Sequence, residues 1–156
     1  MLAMLAEAAA WRDGVLAPVE EVVGPPPIAH YLPQGWPRPG DAGLIATIAT
    51  RAVGAAWWTH FPAHDPGYGF VAVDIPELSV GVLPDHRGRG VGRALVEALC
   101  QRTEHLGIRA LSLSVEVDNP AVGLYRSCGF ATVDEADGAV TMVRHRHADR
   151  NSEDPA

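Results

Sequence analysis

Glu77-Leu78-Ser79-Val80-Gly81-Val82-Leu83-Pro84-Asp85-His86-Arg87-Gly88-Arg89-Gly90-Val91-Gly92 is the stretch whose reading decides the fold. Glu77 to Leu83 is a short β run, and Pro84-Asp85 is a turn. Beyond the glycines, Val91, Ala94, Leu95, Ala98, Leu99 and Leu106 fall at helical spacing, which predicts an amphipathic helix of about four turns. A helix that opens in glycines presents bare backbone N–H groups and the positive end of its dipole. With no Cβ atoms in the way, a phosphate can approach those donors closely. Arg87, Arg89 and Arg93 add positive charge at the same point, so the loop suits a pyrophosphate.

Two familiar phosphate loops do not fit. A Walker loop needs Lys-Ser or Lys-Thr after its last glycine, and none follows here. The dinucleotide fingerprint Gly-x-Gly-x-x-Gly fails because Arg93 stands where its third glycine belongs. The pattern that fits is Arg/Gln-x-x-Gly-x-Gly/Ala, met by Arg87, Gly90 and Gly92.

A second motif follows in order. Ala110 to Val117 alternates as the next strand. Then comes Asp118-Asn119-Pro120-Ala121-Val122-Gly123-Leu124-Tyr125-Arg126-Ser127-Cys128-Gly129-Phe130. Asn119 is a good N-cap, Pro120 fits the first helical position, and Gly129 suits the residue just past a helix end. Together the two motifs resemble the GCN5-related N-acetyltransferase (GNAT) superfamily. There, the first loop holds the pyrophosphate of acetyl-coenzyme A and the second motif reads Asn-x-x-Ala/Gly-x-x-Leu-Tyr-x-x-x-Gly-Phe. Gly123 departs from it where a larger residue is common, and loosens the helix by up to about 1 kcal/mol. The resemblance covers about Gly40 to Val143 and is most specific from Glu77 to Phe130.

The resemblance implies an α/β, mixed α+β fold: a central, twisted mixed sheet splayed between its fourth and fifth strands, with helices on both faces. Residues 1–143 then form a single acetyltransferase domain, and 144–156 a flexible polar tail. The superfamily's opening strand is missing, because Met1 falls inside the first helix, which reads to about Trp11. Either the chain is naturally short or its start lies upstream. The sheet edge left open would be covered by a second subunit, with a symmetric homodimer the commonest closed form, or by the Pro25–Gly40 segment.

Composition narrows the partners. At 156 residues the chain holds one core. A net charge of −7 argues against nucleic acid, whose phosphates require a basic face. Cys100 and Cys128 are too few for a disulfide framework and read as buried thiols in a reducing cytoplasm. No stretch approaches the ~20 apolar residues of a membrane span. No basic leader precedes Glu7, so a signal peptide is not expected. His145 and His147 alternate with arginines, whose charge opposes a metal ion, so no metal is expected.

Along the chain, Gly24-Pro25-Pro26-Pro27 predicts extended structure. The segment from His30 to Gly40 reads as a loop carrying Trp36. Leu44–Ala49 and Ala52–Phe61 predict a hairpin, and Asp137-Gly138 predicts the turn of a second one, 131–133 with 139–143.

The chemistry the resemblance implies is acetyl transfer from a thioester to a primary amine by direct attack in a ternary complex. An amine of pKa about 10.4 must first lose a proton. Glu77, at the start of its strand, is the candidate base. Backbone N–H groups near Val82 and Leu83 would bind the thioester carbonyl, with Gly81 permitting a bulge. Tyr125 would protonate the leaving thiolate, and Asn119 would cap its helix and contact the pantetheine. The cofactor set is thus Val82, Leu83, Arg87, Gly88, Arg89, Gly90, Val91, Gly92, Arg93, Asn119 and Tyr125. On the acceptor side stand Trp11, Tyr31, Trp36, Trp57, Trp58, His60 and Phe61, either aromatic walls for an amphipathic or cationic amine or core residues, and Asp41, either a partner for its ammonium or a turn residue. Three functions remain open: a small-amine acetyltransferase, a protein lysine or N-terminal acetyltransferase, and an inactive coenzyme A-binding sensor or scaffold.

Overall fold

The computed structural model describes residues 1–12 and 18–146, and they form two compact units. The first comprises Met1–Thr59 and Leu78–Val96; the second comprises His60–Glu77 and the chain from Glu97 onward.

In the first unit, helix α1 (Leu2–Ala9) is followed by two short helices, α2 (Val19–Val23) and α3 (Pro26–Ala29). The expectation of extended structure at Pro25–Pro27 is corrected here. A helix's first turn needs no N–H donors, so prolines fit it, and the amides of Ile28 and Ala29 both donate to the Pro25 carbonyl at 2.9 Å. Likewise, α1 stops at Ala9, short of Trp11. Strands β1 (Ala42–Ile48) and β2 (Arg51–Thr59) form the expected hairpin, closed at Ala49-Thr50 with Ala49 at φ 54°. Neighbouring residues of a strand point to opposite faces. Trp57 and Trp58 are nonetheless both fully buried, so β2 is covered on both faces. Their indole N–H groups donate to the carbonyls of Tyr31 (2.9 Å) and Gly40 (2.7 Å), which stitches the 31–40 segment to β2. Strand β3 begins at Glu77 and runs to Val82, and the Leu83 amide just past it donates to Val53 of β2. A Cβ at Gly81 would run into the Met4 backbone of α1, so this position has room only for glycine.

In the second unit, β4 (Ala110–Glu116) pairs antiparallel with β6 (Ala139–His145) from Ala110↔His145 to Glu116↔Ala139. Strand β5 (Ala131–Ala136) pairs with β6 across Asp137 (φ 51°) and Gly138 (φ 77°), the left-handed pair of a two-residue hairpin. Glu77, the first residue of β3, pairs in parallel with Ser112 of β4. The strand order is β1-β2-β3-β4-β6-β5, a mixed sheet as expected.

Helix α4 (Val91–Leu106) runs from one unit into the other. Its buried face is Leu95, Val96, Leu99, Cys100 and Thr103, one residue round from the stripe read in the sequence; Ala94, Ala98 and Leu106 are exposed. Strand β6 also reaches two residues further than expected. Arg144 is buried there, donating from Nε to the Cys128 carbonyl and from Nη2 to Glu104. His147 lies outside the described residues. Among the described residues no helix is long and apolar enough to cross a membrane.

Candidate active site

The loop after β3 is built from a 3-10 turn, Pro84–His86, and four turn residues that end where α4 begins. The amides of His86 and Arg87 close the first turn on Leu83 and Pro84. After them the backbone reverses sign twice, with Gly88 at φ 68° and Gly90 at φ 83° on either side of Arg89. Such alternation gathers successive N–H groups into a concave anion nest. Among the described residues the amides of Gly88, Arg89 and Gly90 have no backbone partner, and the first bond of α4 runs from Ala94 to Gly90. A Cβ at Gly88 or Gly90 would meet nothing within 4 Å, so this side of the loop is open. Open N–H groups and the positive end of a sixteen-residue helix therefore share one spot.

The three arginines divide in role. Arg87 turns back beneath the loop: Nε donates to the Val82 carbonyl at 3.0 Å, Nη1 to the Trp11 carbonyl at 3.3 Å, and Nη2 to the Glu7 carboxylate at 2.7 Å. Its charge is matched by Glu7, so it anchors the loop to α1 and the residues after it. Arg89 and Arg93 are exposed. Sequence reasoning missed Glu7; the available signal was one acid inside the apolar run Met1–Ala10.

The Leu83 amide is committed to Val53, and strand alternation turns the Val82 amide the opposite way. Several acceptor candidates in this unit belong to its interior. Tyr31, Trp57 and Trp58 are core residues. The Asp41 carboxylate is buried and paired with Arg38 at 3.0 Å, which makes it a turn residue rather than an ammonium partner. Trp36 is half-buried, with its ring against Gly43. Trp11 is half-buried beneath the Arg12 guanidinium.

In the second unit, the Asn119 Oδ1 accepts the Ala121 amide at 2.9 Å, and Pro120 takes helical angles at the start of α5 (Ala121–Ser127). The helix closes with the Phe130 amide on the Tyr125 carbonyl and Gly129 at φ 91°. This fixes Tyr125, whose ring meets Phe130 edge-on at 6.0 Å. Burial, with a smaller contribution from Cys128, pushes the phenol up to about 12, so it holds its proton at neutral pH. Glu77 is buried, and its Oε1 accepts the Gly69 amide at 2.9 Å. The base expected from the sequence therefore faces the 67–69 loop. His60 is half-buried and Phe61 buried. Cys100 and Cys128, neither in a disulfide, line a groove of about 290 Å³ with Glu97, Gln101, Glu104 and Arg144. Burial pushes the Cys100 thiol up to about 11. Among the described residues no three His, Cys, Asp or Glu side chains are grouped to hold a metal ion.

Residues 10–130 match the model of the acetyltransferase (GNAT) family. The chain belongs to the GNAT acetyltransferase family. This GNAT chain is 34% identical over 110 residues to a mycothiol acetyltransferase of Pseudarthrobacter chlorophenolicus, covering 69% of this chain and 32% of that protein. A mycothiol acetyltransferase of Propionibacterium freudenreichii is 37% identical over 121 residues, covering 77% of this chain and 37% of the relative. The chain thus spans about a third of the length of the curated relatives it matches. Among solved structures, a ribosomal-protein-alanine N-acetyltransferase from Brucella melitensis superposes with a TM-score of 0.65 at 26% identity, covering 92% of this chain and 91% of that one. The GNAT domain of S. lividans PAT gives the same TM-score at 19% identity, covering 92% of this chain and 77% of that one, a likeness of fold alone.

Proposed function

We propose that the chain moves an acetyl group from acetyl-coenzyme A to a primary amine, by direct attack in a ternary complex. The observation that carries this reading is the open nest at Gly88–Gly90 on the N-terminus of α4. The amides from Gly88 to Gly92 hold the pyrophosphate, with Arg89 and Arg93 adding charge. The Val82 amide faces the thioester carbonyl and stabilises negative charge developing on its oxygen. The ammonium of the acceptor first releases a proton to water. The amine nitrogen then bonds the carbonyl carbon, the carbon–sulfur bond breaks, and the Tyr125 phenol gives its proton to the departing thiolate. Solvent restores the phenol and takes the second amine proton. A phenol pushed up to about 12 suits a donor that stays loaded at neutral pH.

A small-molecule amine is the favoured acceptor, supported by relatives named for mycothiol and by a structural neighbour named for spermidine. A protein N-terminus is the second reading, favoured by the likeness to the ribosomal-protein-alanine enzyme along nearly its whole length. The presence of Tyr125 speaks against an inactive sensor. Two cysteines outside any disulfide fit a reducing cytoplasm. Strand β1, at one end of the strand order, carries no charge over Ala42–Ile48 and exposes Ile45 and Ile48, whereas β5 at the other end carries Asp134 and Glu135. Charged edges are protected from pairing and apolar ones are not, so we place a homodimer contact at β1. The test is consumption of acetyl-coenzyme A over a panel of polyamines, aminoglycosides and peptides beginning in alanine. Thiol release dependent on one amine class supports the reading, and release with none, despite tight binding, selects the sensor.

A further inference from the structure

We propose that Glu77 is a positioning residue: its carboxylate latches the Gly67-Tyr68-Gly69 loop, and the latched loop presents Tyr68 to the acceptor amine. The proposal rests on the acetyl-transfer reading above and assigns Glu77 a role other than the general base.

The latch is defined by contacts within the second unit. A buried carboxylate needs donors, and Glu77, only 2% exposed, accepts the Gly69 amide at 2.9 Å. Gly67 packs on the other oxygen: a Cβ there would run into Glu77 Oε2 and lie 2.8 Å from the Phe61 ring. A Cβ at Gly69 would lie 2.7 Å from the Ser114 nitrogen, so the loop backbone rests directly on the β4 backbone. Glu77 itself is locked beside β4 by its register pair with Ser112 and by the Ser112 amide donating to Pro76 at 3.0 Å. The far end of the segment is tied as well. Asp74 forms a two-toothed ion pair with Arg109, and Ile75 and Ala72 pack with Ala110 and Val143.

Between the two tightly packed glycines, Tyr68 is 63% exposed. An aromatic ring held out on a fixed backbone loses little freedom when it is covered, which makes it a cheap recognition element. Its face suits a cationic or amphipathic amine. The loop rests on β4 at Leu113 and Ser114, and the chain beyond β4 turns at Asn119 into α5 and its proton donor Tyr125. The carboxylate of Glu77 faces the loop backbone, whereas a base must face the amine.

The experiment compares Glu77→Gln, Glu77→Ala, Tyr68→Phe and Tyr68→Ala, with spermidine and a peptide beginning in alanine as acceptors. Glutamine keeps an acceptor oxygen for Gly69, so Glu77→Gln should retain the shape of the parent pH–rate profile. Glu77→Ala should speed exchange of the Gly69 amide by about 10- to 100-fold, the loss expected for a buried hydrogen bond. Its KM for the amine should rise while its affinity for acetyl-coenzyme A holds. Tyr68→Ala should raise KM for the amine about tenfold with kcat nearly unchanged, and Tyr68→Phe should stay close to the parent. Loss of the pH-dependent limb in Glu77→Gln would return the base to Glu77 and overturn the proposal. So would parent-like Gly69 exchange in Glu77→Ala, or an unmoved KM in Tyr68→Ala. If neither acceptor is acetylated, Gly69 exchange still decides the latch, while calorimetry with acetyl-coenzyme A decides the underlying reading separately.

Discussion

Gly90→Glu separates the binding role of the loop from its folding role. Gly90 sits at φ 83° with nothing within 4 Å of a built Cβ. A side chain there meets no steric barrier and carries only the backbone penalty of the left-handed region, roughly 1–2 kcal/mol. For a chain of this length each kcal/mol lowers Tm by about 2–4 °C, so the variant should melt a few degrees early and remain folded. Its carboxylate, however, would stand beside the open amides. A like charge at about 4 Å from a phosphate, in a partly screened setting, opposes binding by about 4 kcal/mol, or about 10³-fold in affinity. Gly90→Ala has the same backbone penalty and no charge, which makes it the control. Titration calorimetry with acetyl-coenzyme A should show the two variants melting alike and binding very differently. Equal affinities in Gly90→Glu and Gly90→Ala would refute the reasoning, because no phosphate could then lie against this loop.

Tyr125→Phe should lower kcat by about 10²-fold or more while cofactor affinity holds, since only the donated proton is lost; parent-like kcat across pH would mean thiolate departure needs no acid. Tyr125 and Cys100 are neutral when protonated, and burial raises them from ordinary values of 10.0 and 9.0 to about 12 and about 11. The unfolded chain therefore sheds these protons first, so stability from both is full below pH 9 and falls as pH rises from 9 to 12. Denaturant titrations should show that slope, and Cys100→Ala should flatten its lower part. Gly81→Ala drives a Cβ into the Met4 backbone and should destabilise by about 1–3 kcal/mol or more. It should also weaken acetyl-coenzyme A, because α1 carries the Glu7 that anchors Arg87; a parent-like melt would show that the strand and helix do not meet there. Ile45→Lys, charging the β1 edge, should convert a dimer to monomer in sedimentation at micromolar concentration, and a parent that is already monomeric refutes that contact.

What was legible in the sequence was chemistry confined to neighbours in the chain. Asp137-Gly138 names its turn, and Asn119-Pro120 names a helix start. Order and spacing of these short signals were enough for the mixed sheet and the family. Contacts between distant residues were not legible. Arg87 reads as a phosphate ligand until Glu7, eighty positions earlier, is found beneath it. Glu77 reads as the base until Gly69 is found on its carboxylate. Trp57 and Trp58 read as acceptor-side aromatics until the stretch from Tyr31 to Gly40 is found to accept their indole N–H groups, with both rings fully buried. Helix α4 missed by one residue, because small alanines fit the pattern of either face.

The central claim is that the pyrophosphate of acetyl-coenzyme A rests on the amides of Gly88 to Gly92. Amide NMR on the labelled chain tests it, comparing acetyl-coenzyme A with S-acetylpantetheine, which carries the same thioester and no pyrophosphate. The account predicts large shifts of the Gly88, Arg89 and Gly90 amides with the first ligand, little movement with the second, and much weaker binding of the second. Unmoved loop amides, or equal affinity for the two ligands, would contradict it.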